Sequence, residues 1–92
     1  MSQIIVTAIG ELYFQVTVIG SPNTTHTTTM HKVTIDADYA LKLTAGKITN
    51  AQLVEKSFEF LLERESNTSI MRSFDLSVIA RYFPEYESMI AR

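Results

Sequence analysis

The stretch from His31 to Arg64 changes its hydrophobic period from two to about 3.6 near Ile35. A segment of one period cannot hold the conformation of the other. Strands must therefore precede Asp36 and helices must follow it, which predicts an α+β fold. Upstream, Gln3–Ile9 is a continuous β-branched apolar run, and Gly10-Glu11 is a turn candidate. Leu12, Phe14, Val16 and Val18 then alternate with Tyr13, Gln15, Thr17 and Ile19, the signature of a half-buried strand. Gly20-Ser21-Pro22-Asn23 reads as a loop, and a third strand follows, with Val33 and Ile35 inward and Lys32 and Thr34 outward. The Thr-rich tract Thr24–Thr29 suits an edge strand.

Downstream, Asp36 and Asp38 supply a cap for a short helix that ends at Gly46. Thr49 caps a long helix to about Glu65. Val54, Phe58, Leu61 and Leu62 form its stripe, and Leu53 and Phe60 widen the apolar surface. A surface that wide predicts contact with a second chain. Ser66–Ser69 is a polar break. Asp75 caps a helix over Leu76–Phe83, and Pro84 opens a last turn. The expected architecture is a three-stranded antiparallel sheet, strands near 3–9, 12–19 and 27–35. Three to four short helices follow, near 38–45, 49–65, 75–83 and 84–91. Residues 1–92 form a single domain, which suits the chain length.

Composition narrows the function. Apolar residues make up 46% and charged residues 20%, and the net charge is −2. Residues 1–50 hold three Lys and three acids, and residues 51–92 hold five bases and seven acids. Neither half is basic, so a broad electrostatic footprint for nucleic acid is missing. Without cysteine the chain has neither disulfides nor thiolate chemistry. It opens on no secretory signal and has no apolar run of membrane-spanning length, so the expectation is cytoplasmic. Asn23-Thr24-Thr25 and Asn67-Thr68-Ser69 are then chance glycosylation triplets.

Single residues point to no reaction. His26 and His31, five apart on a strand, face opposite ways and read as surface or edge-strand histidines rather than metal ligands. Asp36 and Asp38 read as caps. Ser73, Ser77 and Ser88 have no evident His–acid set. The expectation is a non-enzymatic chain with neither cofactor nor metal. Glu55, Glu59 and Glu63 form an acidic column, a solvated face or a dock for a basic partner. Arg81, Tyr82, Phe83 and Tyr86 cluster near Pro84. Together with the edge strand they are the expected partner-binding residues of a homodimeric protein-interaction module.

Two resemblances extend this reading. His31–Ile35, Ser57–Glu65 (SFEFLLERE) and Ser73–Glu87 (SFDLSVIARYFPEYE) resemble a small prokaryotic domain family, a likeness that implies no activity. Residues 31–64 also resemble ribbon-helix-helix proteins: Val33-Thr34-Ile35 as ribbon, Asp38–Leu43 as first helix, Gly46–Thr49 as turn. That likeness implies a dimeric DNA-binding regulator or antitoxin-type protein. It would read bases through Met30, Lys32 and Thr34 and hold a phosphate at Thr49 and Asn50. The chain departs from the pattern in its single basic ribbon residue, its acidic balance and the hairpin strand ahead of the ribbon.

Overall fold

The computed structural model describes residues 3–20 and 28–91. Strands β1 (Gln3–Gly10), β2 (Tyr13–Ile19) and β3 (Thr29–Thr34) form an antiparallel meander. Helices α1 (Ala37–Thr44) and α2 (Asn50–Leu62) follow, then a 3₁₀ turn at Asn67–Ser69. A short strand β4 (Ser73–Asp75) precedes helices α3 (Val78–Tyr82) and α4 (Tyr86–Ile90). The sheet order is β1-β2-β3-β4, with β4 parallel to β3. The α+β class and the strands-then-helices order are as the sequence predicts.

β4 is the main departure. Ser73–Asp75 lies where the sequence suggests the approach to a helix, and three residues are too few to display a period. Pairing alone makes it a strand: the Lys32 N–H donates to Arg72 O at 2.8 Å and the Leu76 N–H to Thr34 O at 2.8 Å. A parallel partner needs a long crossover. α1 and α2 provide it across one face of the sheet. β3 is therefore internal over Lys32–Thr34, which corrects the expected edge strand for those residues; over Thr29–His31 no strand among the described residues pairs with it on that side. Residues 21–27, which hold His26 and most of the Thr-rich tract, lie outside the described residues.

The helix ends follow local chemistry. The Asp36 carboxylate accepts from the Tyr39 N–H at 3.1 Å. α1 stops on two left-handed residues, Ala45 (φ 52) and Gly46 (φ 76), where only glycine sits without strain. Thr49 closes a capping box: the Gln52 N–H donates to Thr49 Oγ1 (3.1 Å) and the Thr49 N–H to Gln52 Oε1 (2.8 Å). α2 ends at Leu62, short of Glu65. Arg64 folds back there, its guanidinium 3.7 Å from the Phe60 ring centre, and donates to Phe60 O and to Glu85 on the approach to α4. Asp75 lies in β4 rather than at a helix cap, but its carboxylate still accepts from the Ser77 N–H and hydroxyl in the turn before α3.

The core lies between the sheet's inner face and the helices. Phe14, Val16, Val18 and Val33 face Leu53, Val54, Phe58 and Leu61 of α2, and all are buried. Phe58 is central, its ring 5.3 Å from His31 and 6.0 Å from Phe74. Phe60, beside the stripe, packs edge-on against Phe83 and Tyr86. The wide apolar surface of α2 is thus consumed within the chain, which corrects the expectation that it faces a second one. Replacing a buried Phe by Ala costs about 3–5 kcal/mol, and removing a Thr cap about 1 kcal/mol. Urea denaturation should therefore show Phe58→Ala as severely destabilised and Thr49→Ala as mildly so. Equal losses would remove Phe58 from the centre of the core.

Candidate functional site

β4 borders open space on its far side. The groups of Arg72 and Leu76 bond toward β3, so strand alternation turns the backbone N–H and C=O of Ser73 and Asp75 outward. No strand among the described residues pairs with that edge. Beside it lies a groove of about 320 Å³, lined by Leu61, Ile70, Met71, Phe74, Val78, Ile79, Tyr82 and Phe83, with Glu65 and Ser69. Met71 is 43% exposed and Tyr82 67%, so the groove offers apolar area that a partner could cover.

A buried polar chain holds the groove wall in place. His31 is fully buried on β3. A carbonyl can only accept, so His31 Nδ1 carries the proton and donates to Met71 O at 2.7 Å. Nε2 then accepts from Thr29 Oγ1 at 2.8 Å, and Thr29 Oγ1 accepts from the Asn67 amide at 3.1 Å. Every hydrogen of this relay has a destination, with the imidazole neutral. Burial pulls the His31 pKa below 6.5, and the nearby Arg72 charge adds to that, although the Met71 carbonyl opposes both. The surface-histidine expectation for His31 is therefore corrected. Asn67 belongs to this relay, with its side chain buried, which accounts for one of the two glycosylation triplets.

The expected partner residues separate. Tyr82 and Phe83 line the groove, whereas Arg81 is exposed outside it. Tyr86 is fully buried. Its hydroxyl meets Ser57 Oγ at 2.6 Å. The Ser57 hydroxyl donates to Leu53 O, so Tyr86 is the donor. Burial pushes the Tyr86 phenol up to about 12, against the lowering effect of Ser57. Tyr86 is a core residue and cannot touch a partner. Met71, absent from the sequence-derived set, completes the groove. Its only signal is the apolar pair Ile70-Met71 just after the polar break.

The residues drawn from the ribbon likeness divide as well. Met30, Lys32 and Thr34 do project from the sheet's outer face. β2 occupies one edge of this strand along its length, and β4 the other over Lys32–Thr34, so pairing with a second copy would displace one of them. Thr49 and Asn50 stand in the helical layer instead. The capping box uses Thr49 internally, and the Asn50 amide reaches Glu11 O at 3.4 Å. Thr34 donates to Asp75 at 2.9 Å. Burial raises the Asp75 pKa, but the bonds from Ser77 and Thr34 outweigh it and hold the carboxyl below 3.8.

Among the described residues no group of three or more His, Asp or Glu could hold a metal, and no helix is long and apolar enough to cross a membrane. No protein-family model, curated protein or solved structure matches the chain. Both resemblances rest on the segments quoted for them.

The His31 relay predicts a pH dependence. The unfolded chain protonates this imidazole near 6.5 and the folded chain only at lower pH, so the unfolded state binds the proton first. The His31 contribution to stability is constant above about pH 6.5 and declines below it, by at most about 1.4 kcal/mol per unit, until the folded pKa is reached. Urea midpoints between pH 7.5 and 5 should show that decline, and His31→Gln should flatten it. A slope unchanged by the substitution would assign it to another group.

Proposed function

We propose that this chain is a non-enzymatic, cytoplasmic, homodimeric protein-interaction module whose partner docks beside β4. One observation carries the reading: an apolar groove with exposed Met71 and Tyr82 lies against a sheet edge whose Ser73 and Asp75 backbone groups face outward. An extended peptide can add to such an edge and drop an apolar side chain into the groove. Strand recruitment, expected at residues 27–34, thus moves to β4, the strand that covers Lys32–Thr34. Three edge residues offer few hydrogen bonds, so burial in the groove supplies most of the binding. Affinity on the order of 10 µM, about −7 kcal/mol, suits a contact of this size.

The test is selection of linear peptides displayed against the immobilised protein. Selected peptides should be extended and carry one large apolar residue. They should shift the amide resonances of Met71–Asp75 and lose at least about tenfold in affinity against Met71→Glu. Met71 is exposed, so that variant should keep its fold. Binders indifferent to Met71→Glu, or a selection with no enrichment, would overturn the reading.

A further inference from the structure

The sheet covers its inner face with helices, and no element among the described residues covers the other face. Ile5 of β1 pairs across Thr17 of β2 to Met30 of β3, and Ile19 lies at the adjacent end of β2. Ile5 is 42% exposed, Ile19 37% and Met30 51%. The face is also poor in charge. Lys32 and Asp75 are the only charged side chains at its outward strand positions, and Asp75 is already bonded to Thr34 and Ser77. The helical layer, by contrast, exposes Glu55, Lys56 and Glu59 from α2 and Glu63 at its C-cap. A solvated outer sheet face ordinarily alternates to polar residues, and here uncharged Gln, Thr and Ser hold many of the outward positions around the patch of Ile5, Ile19 and Met30. Depletion of Lys, Glu and Asp around Met30 and the outward Tyr13 is the composition of an interface core.

We infer that this open face packs against the same face of a second copy of the chain, an inference that rests on the homodimeric reading above. Charge selects the occupant: a surface with almost no charge fits another with almost none, and the second copy presents one. A twofold interface uses the same patch twice. An axis along β2 sets Ile5 opposite Met30 of the second copy and Ile19 opposite its own counterpart, with the sheets about 10 Å apart and their strands within about 30°. Area sets the extent. Strands of eight, seven, six and three residues cover roughly 380 Å² in flat projection at ~3.3 Å rise and ~4.8 Å spacing. A stable interface buries about 800 Å² of accessible surface per partner, so the contact must use the whole face with its side-chain relief.

Sedimentation equilibrium of the full chain, with Ile5→Lys, Met30→Lys and a Glu55→Lys control on the helical layer, tests this. The expected result is a wild-type mass of twice 10.4 kDa. Either sheet-face variant should raise the dimer dissociation constant by at least about tenfold, whereas the control leaves it unchanged. Both replaced side chains are exposed, so each variant should keep the wild-type circular dichroism spectrum. A dimer indifferent to both sheet-face variants would overturn this interface and leave the homodimeric reading standing. A wild-type monomer at about 100 µM would overturn both.

Discussion

The buried imidazole of His31 is the fixed point on which the sheet's far side depends. It bonds to Met71 forty residues downstream and, through Thr29, to Asn67. These contacts hold the segment after α2 against β3, and β4 then pairs where that segment arrives. Each bond contributes only about 1 kcal/mol net, but an unsatisfied buried partner costs about 1–3 kcal/mol. The relay therefore acts as a unit. If it loosened, the groove would lose the wall formed by Ile70 and Met71, and β4 would lose its register. Phe58 packs against the imidazole and joins this polar chain to the apolar core.

The layered architecture separates the chain's chemistry. Helices cover one face of the sheet and carry most of the charge, including the exposed acidic column of α2. The opposite face is uncovered by any described element, uncharged at most of its outward positions and apolar around Ile5, Ile19 and Met30. The free edge of β4 lies along one margin of the sheet, so both surfaces can be occupied at once. In this chain the strand that resembles a ribbon pairs with β2 along its length and with β4 over Lys32–Thr34, so a ribbon-type pairing there would displace one of them.

Much of the fold was legible because local rules and tertiary packing agree. Alternation placed Phe14, Val16, Val18 and Val33 inward, and all are buried. Asp36 and Thr49 capped the helices expected of them. Candidate-site residues were less legible. Tyr82 and Phe83 reached the groove, but Tyr86, chosen by the same aromatic clustering, went into the core. Sequence proximity cannot rank exposure among neighbouring aromatics in short helices, because a change of about 100° per residue decides which one faces inward. His31 was misplaced for a related reason: a lone polar residue on an inward position reads as surface unless its distant partners are known.

By itself the sequence determined the period of each segment, the helix caps and the inward face of the meander, because these depend on residues within one or two turns. Tertiary structure alone decided that Ser73–Asp75 is a strand, that His31 is buried and neutral, and that β3 is internal over Lys32–Thr34. Each depends on pairing between residues about forty positions apart. Three strand residues and one imidazole carry no periodic signal of their own. Their state is set by hydrogen-bond partners that only the folded chain brings within reach.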